Sequence, residues 1–452
     1  MTSQISTPVG IPNELNFSLP SSMIPSRKTE LRVPVPGNSV FTTAGQVARI
    51  SLPKMSNTLY NTQTGYLFGT VSFTTPGTAG TDFSYLLGSW YSLFSRQVIR
   101  AGSGYVLETI DNPGKLVNAI SSMTMNASEK VALNNSFGFN DLTGYTNLGV
   151  KIFADTDAAG IGGASGDEKN FTFAFPLIGI LNNTKFWPAW ISDSIDIELT
   201  LDNFSNYLLA ATANAVTGVS ISNLEYVCEC LELSPESYSM IIAQNPSQVV
   251  LKTQSYSYGS TSLPASQGAG TIDIPFQIKV NSLKQLFWYS QPSDAMEKTF
   301  AGVNPNLDNW SFYVNTTSYP QRPVQSKYPS ESFMQNQKSF GSIYSSSHSG
   351  SATRGEFNTA STAYNNYHRP YNTAVANATQ RANKWYQCLD LESINSNKES
   401  LYSGIATTGL ASTIRLNIAS TLAAQVHNIH YWSCHDVLVV MDMATGIVSV
   451  SV

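Results

Sequence analysis

Hydrophobic and polar residues alternate through KFWPAWISDSIDIELTL at 185–201, where Ile195, Ile197, Leu199 and Leu201 fall on one side and Asp196, Glu198 and Thr200 on the other. A period of two sends successive side chains to opposite faces, so this spacing predicts a β-strand with one face in a core and the other in water. FTFAFPLIGIL at 171–181 precedes it, and ISNLEYVCECLELSPES at 221–237 reads as a long strand closing on Ser-Pro, where a domain can end. Upstream, VFTTAGQVARISLP and YLFGTVSFTT are rich in β-branched and aromatic residues and read as the first strands. From 91 to 123 a strand enters a Gly-Ser-Gly turn, continues from Tyr105 to Ile110, and gives way to a short helix. Pro113 suits the first turn of that helix and Asp111 or Asn112 its N-cap, with Leu116, Val117 and Ile120 on one face.

The pattern resumes near Gln248 with LKTQSYSYG and with IDIPFQIKVNSLKQLFWYS at 272–290, read as long strands. WSFYVN at 310–315, STIRLNI at 412–418 and a near-continuous apolar run from Asp436 to Met443 follow. Residues 342–383 are dominated by Ser, Thr, Asn, Ala and Tyr, too polar for a core strand and too long for a tight turn, and read as a surface excursion. Residues 1–30 carry Pro8, Pro12, Pro20 and Pro25 with few apolar pairs and read as an extended arm. The glycine-rich stretch AAGIGGASGDE at 158–168 reads as a flexible loop; it has neither a P-loop lysine nor the spacing G-x-G-x-x-G. The chain thus divides into an arm (1–30), a first β unit (31–236), a linker (237–250) and a second β unit (251–452), an all-β organisation with short helices in loops.

Composition narrows the function. The chain is 42% hydrophobic but only 12% charged, about half the charge of an average globular domain. A surface wrapped in Ser, Thr, Asn, Gln and Tyr suits packing against like copies without charge repulsion. The net charge of −5, with 25 basic against 30 acidic residues, argues against direct nucleic-acid binding, which needs a concentrated Lys/Arg surface. Arg27, Lys28, Arg32, Arg49 and Lys54 make the first 54 residues mildly basic but read as ordinary solvated residues. No segment reaches the ~18 consecutive apolar residues of a membrane span, and MTSQISTPVG lacks a secretory apolar core. Without a signal, sequons such as those at Asn170 and Asn315 read as chance products of an Asn/Ser/Thr-rich chain. Cys228, Cys230, Cys388 and Cys434 are too few for a disulfide scaffold and are expected as reduced, buried thiols.

The ordered series YVLETIDNPGKLVNAI, FAFPLIGIL, KFWPAW, DIELTL, ISNLEYVCECLELSPE, VNSLKQLFW and YVNTTSYPQRP, closed by the terminal hydrophobic strands, resembles the double jelly-roll major capsid proteins of DNA viruses related to polinton-like viruses, virophages and larger icosahedral viruses. It covers roughly residues 31–452 and rests on many moderate motifs. The resemblance implies two consecutive eight-stranded antiparallel jelly rolls and three subunits in a pseudo-hexagonal capsomer of an icosahedral shell. It implies as partners other copies of the chain, a penton, and minor capsid or membrane proteins, with the virion as location. By extension 342–383 is expected to form an outward tower and the N-terminal arm to face inward or run beneath neighbours, although neither segment carries a family motif.

Candidate chemistry is sparse. His427, His430, Cys434 and His435 are the one group of potential metal ligands close in sequence. His427, His430 and Cys434 share a face only on a helix, whereas a strand sends His430 and Cys434 one way and His435 the other, so no metal site is assigned. No G-x-S-x-G elbow, H-E-x-x-H helix or Walker sequence occurs, and Asp196 and Glu198 read as the solvent side of an amphipathic strand, so neither an enzyme activity nor a cofactor is expected. The alternative is a lectin-like β-sandwich or a viral spike stacking sugars on Trp187, Trp190, Trp288, Trp310, Trp385 and Trp432, but most of these lie in or beside strong strand patterns, where burial is expected.

Overall fold

The computed structural model describes residues 26–37, 39–74, 83–102, 104–139, 148–153, 170–182, 185–191, 194–210, 216–292, 302–340, 385–393, 402–422 and 426–452. Residues 1–25 of the expected arm, the glycine-rich stretch 158–168 and the excursion 342–383 lie outside them.

The first half carries β1 (Ser26–Pro34), β2 (Val47–Pro53), β3 (Thr58–Thr74), β4 (Phe83–Leu87), β5 (Phe94–Ala101), β6 (Val106–Asp111), β7 (Leu148–Phe153), β8 (Asn170–Phe175), β9 (Trp187–Pro188), β10 (Ser194–Leu201), β11 (Leu208–Ala210) and β12 (Gly218–Leu233). Its helices are α1 (Pro113–Thr124), α2 (Ala127–Ala132), α3 (Asn134–Phe137) and α4 (Phe204–Tyr207). After α5 (Pro235–Gln244) the second half carries β13 (Gln248–Leu263), β14 (Gly270–Pro275), β15 (Leu283–Pro292), β16 (Leu307–Val314), β17 (Thr317–Gln325), α6 (Pro329–Ser339), β18 (Gln387–Asp390), β19 (Ser412–Ile418), β20 (His427–Asp442) and β21 (Val448–Ser451).

The pairing defines the architecture. One first-half sheet runs β1-β12-β3-β8, with β9 added on β3, and the facing sheet runs β2-β10-β5-β6. In the second half the sheets run β13-β20-β15-β18, with β21 added on β20, and β14-β19-β16-β17. Taking the eight main strands of each half in chain order, both halves have sheets ordered first-eighth-third-sixth and second-seventh-fourth-fifth. All these ladders are antiparallel. That strand order is a jelly roll, and the chain contains two in succession. A three-stranded sheet β11-β4-β7 is added to the first.

Local sequence explains the strands. In β10, Ile195, Ile197, Leu199 and Leu201 are buried in the first core, as the alternation predicts. In β19, Ile414, Leu416 and Ile418 do the same in the second, while Arg415 lies outside, its Nε and Nη2 donating to the two carboxylate oxygens of Asp273 at 2.7 and 2.9 Å. The helix α1 begins at Pro113 after Asn112, whose φ of 52° is left-handed and whose side chain does not cap it; asparagine tolerates this conformation better than most residues.

Three boundaries differ from the sequence reading, one being the linker, whose residues 248–250 already belong to β13 while α5 begins at Pro235. Residues 26–30, assigned to the arm, form the start of β1, because Ser26 through Glu30 pair with Leu233 through Glu229 of β12. The run 272–290 divides at Phe276–Ser282 into β14 and β15, which lie in opposite sheets. Burial keeps alternating through Phe276, Ile278 and Val280 although the segment crosses between sheets. A period of two therefore could not reveal the break.

Ile197 is fully buried at the centre of the first roll. Ile197→Asp places an unpaired carboxylate there, at a cost of several kcal/mol, and is expected to abolish soluble folded protein. Ile197→Val, about 1 kcal/mol, should leave yield and circular dichroism near wild type; a soluble, natively folded Ile197→Asp chain would count against this placement.

Candidate functional site

The two rolls do not keep separate interiors. Leu251 of β13, Val437, Val439 and Met441 of β20 and Val448 of β21 belong to the core cluster of the first roll. In return, Ile110 of β6 and Leu116, Ala119 and Met123 of α1 belong to the core cluster of the second, and Ile178 packs against both. Polar contacts accompany the apolar ones: Asn118 Nδ2 donates to Tyr386 Oη at 3.1 Å, and Asn336 Nδ2 approaches the Met123 sulfur at 3.6 Å. The space left between α1 and the second roll, lined by Met123, Phe287, Trp288, Tyr386 and Trp432 among others, measures about 10 Å³, room for no more than about one water. This seam is the chain's main inter-domain feature.

Glu108 lies on this seam. It is the inward-facing charge in VLETID of β6, buried against β13, where Ser255 Oγ donates to its carboxylate, and the Ile180 N–H donates to both oxygens at 3.1 and 3.2 Å. Gly179, with φ of 92°, lets the backbone close over this carboxyl, since any Cβ there would strike it. Burial pushes the Glu108 pKa up to about 8, against the two hydrogen bonds that pull it down. The sequence signal was a single acidic residue at a core position of an apolar strand, which alternation alone did not mark as unusual.

Of the residues considered for metal binding, His427, His430, Cys434 and His435 all lie buried in β20. The three histidines are occupied separately: His427 Nδ1 pairs with Ser290 Oγ at 2.9 Å, His430 Nδ1 with Tyr258 Oη at 2.8 Å, and His435 Nδ1 with Ser433 Oγ at 3.2 Å. Burial drives the His430 pKa well below its ordinary value and the His435 pKa down to about 4. Both are neutral structural histidines at physiological pH. Among the described residues no three His, Cys, Asp or Glu side chains gather as a metal site. All four cysteines are buried, and none is in a disulfide.

Asp196 departs from expectation. It was read as solvent-facing, yet its side chain is only 2% exposed and pairs with Arg49, while Glu198 pairs with Arg100 at 2.8 Å. Arg100 and Arg49 lie directly across from Asp196 and Glu198 on the flanking strands β5 and β2, and both bonds run diagonally. Long arginine stems thereby cover the outer face of a central strand, which β10 alone could not show. Trp187, Trp288, Trp310, Trp385 and Trp432 are fully buried; Trp288 meets Trp310 and Trp385 edge-on at 5.3 and 5.2 Å, and Trp310 Nε1 donates to Gln387 Oε1 at 2.9 Å. Trp190 is partly buried against the first core.

No family model matches the chain, and no curated protein matches it in sequence. Solved structures do match in fold. A chain of the PBCV-1 virus capsid aligns with a TM-score of 0.56 at 9% identity, over 96% of this chain and 98% of its own. The Faustovirus major capsid protein aligns at 0.55 and 9% identity, over 95% and 92%, and a chain of the Sputnik virophage at 0.56 and 13% identity, over 99% and 93%. Each alignment spans nearly the whole of both chains and so includes both rolls. The fold is the double jelly roll of viral major capsid proteins.

Glu108 sets a pH dependence. Its folded pKa of about 8 lies above the ordinary value of 4.5, so the folded state holds a proton that the unfolded chain releases as pH rises from about 4.5. Stability falls through the window 4.5–8 and levels off above it, by at most about 5 kcal/mol for this group. Glu108→Gln is expected to match wild type in denaturant unfolding at pH 5 and to exceed it at pH 9. Equal stabilities at pH 9 would show that the carboxyl ionises without penalty.

Proposed function

We propose that this chain is a major capsid protein that assembles as a homotrimeric, pseudo-hexagonal capsomer of an icosahedral viral shell around a DNA genome. The observation that carries the reading is the repetition of one strand order in two rolls, each of which contributes side chains to the other's core. Two similar rolls side by side in a rigid subunit present six similar units when three subunits surround a threefold axis. Six units of similar outline tile a flat facet, so one subunit type can build most of a shell. The low charge of the chain favours this reading, because close packing of identical copies then brings few like charges together.

On this reading the chain acts by self-association in the virion, without catalysis. Its partners are neighbouring capsomers, a penton at the vertices and minor capsid or membrane proteins beneath the shell, with no direct sequence-specific binding of nucleic acid. The sugar-stacking alternative loses its main support, since five of the six tryptophans that would carry it are in the cores.

Light scattering of purified protein is expected to give three copies of the 49.1 kDa chain, about 147 kDa, with a pseudo-hexagonal outline in negative-stain electron microscopy. A stable monomer at all concentrations tested would remove the capsomer reading.

A further inference from the structure

Lys284, Glu392 and Asp436 meet at a second buried site, in the second roll. Their side chains are 1%, 8% and 1% exposed, and Lys284 Nζ lies 2.9 Å from Glu392 Oε1 and 3.1 Å from Asp436 Oδ1. Lys284 stands at a bulge in β15, between Leu283 and Gln285, which pair with His435 and Cys434 of β20. The backbone holds the three together: the Asp436 N–H donates to Ser282 O at 3.2 Å and the Leu391 N–H to Lys284 O at 2.8 Å. Asp436 Oδ2 accepts from Ser282 Oγ at 2.8 Å and from the Tyr402 N–H at 3.0 Å, and Ser403 Oγ donates to Glu392 Oε1 at 3.1 Å.

The two oxygens of Asp436 are thus differentiated. Oδ2 has two fixed donors, and Oδ1 faces the amine. Two donors at 2.8 and 3.0 Å are what an oxyanion forming at Oδ2 needs. An amine held beside a carboxyl in a site that excludes water has the proximity that makes condensation effectively intramolecular. The buried Lys284–Asp436 ion pair carries a desolvation cost that a neutral amide removes, while Glu392 keeps the Ser403 hydroxyl as a donor.

We propose that Lys284 and Asp436 condense to an intramolecular isopeptide bond, with Glu392 as the proton carrier and Ser282 Oγ and the Tyr402 N–H as the oxyanion donors. Burial pulls Lys284 toward the neutral amine, but its bonds to Glu392 and Asp436 outweigh this and keep it protonated at rest. Proton transfer to Glu392 therefore opens the step. The freed Nζ lone pair attacks Asp436 Cγ, and the negative charge collects on Oδ2. Glu392 delivers its proton to Oδ1, takes a second from the nitrogen and delivers that too, and the Cγ–Oδ1 bond breaks with loss of water. An ammonium and a carboxylate become one secondary amide and one water, with no oxidant, reductant or co-reactant. The product joins neighbouring strands β15 and β20 covalently and leaves Glu392 unchanged.

The test is the intact mass of the full-length chain, taken from a folded, discretely eluting fraction and denatured for measurement. The expected mass is about 18 Da, one water, below that of the sequence, with proteolysis yielding a branched peptide that joins Lys284 to Asp436. Lys284→Arg should restore the full mass of its own sequence, and Glu392→Gln should do so while the chain still folds. A folded wild-type chain at its unmodified mass, with the Lys284 and Asp436 peptides recovered separately, would overturn the bond. A branched peptide persisting in Glu392→Gln would overturn the role of Glu392.

Discussion

One strand, β20, serves two cores at once, and the subunit depends on that. Its first half pairs between β13 and β15 and places Ile429, Tyr431, Trp432 and Cys434 in the second core. Its second half delivers Val437, Val439 and Met441 into the core cluster of the first roll. Each such side chain contributes about 1.5–3 kcal/mol on burial, so parting the rolls would expose apolar surface on both. The helix α1 makes the reciprocal connection, leaving a first-roll strand and burying Leu116, Ala119 and Met123 in the second core. A relative orientation set by shared cores is one that a lattice of subunits can rely on.

Polar groups inside this structure are placed where they specify rather than merely fill. Trp310 and Gln387, Tyr258 and His430, and Ser290 and His427 each join strands or segments far apart in sequence by a hydrogen bond within a largely apolar surround. Leaving such a group unpaired in an interior costs more than its bond contributes when made. These pairs therefore penalise strand slippage more than they add stability. Glu108 extends the same logic across the seam, where Ser255 of the second roll answers a carboxyl of the first. Outside, the diagonal ion pairs of Asp196 with Arg49 and Glu198 with Arg100 mark the register of three adjacent strands.

Local pattern carried most of the strand content because alternation reports directly on a two-sided sheet. SIDIELTL and STIRLNI are strands at the expected positions, and the helix starting at Pro113 follows from its proline and apolar spacing. The ordered motifs also carried the double jelly-roll resemblance, since strands of one topology must recur in one order. Where residues repeat with the period of a strand but change partners, as between Phe276 and Ser282, the pattern holds and the sheet does not. The five residues assigned to the arm that belong to β1 were equally illegible, because their partner in β12 lies some 200 residues away.

What the sequence by itself determined was therefore the class of element, the sidedness of each strand, and a surface poor in charge. Only the tertiary structure decided which strands share a sheet, that Asp196 is covered by arginines from its neighbours, that Glu108 is closed into the seam, and that Lys284, Glu392 and Asp436 stand within hydrogen-bond distance. The physical reason is range: side-chain alternation is a property of successive residues, whereas burial of a charge and the choice of its partner are set by chain segments that meet only when the sheets close.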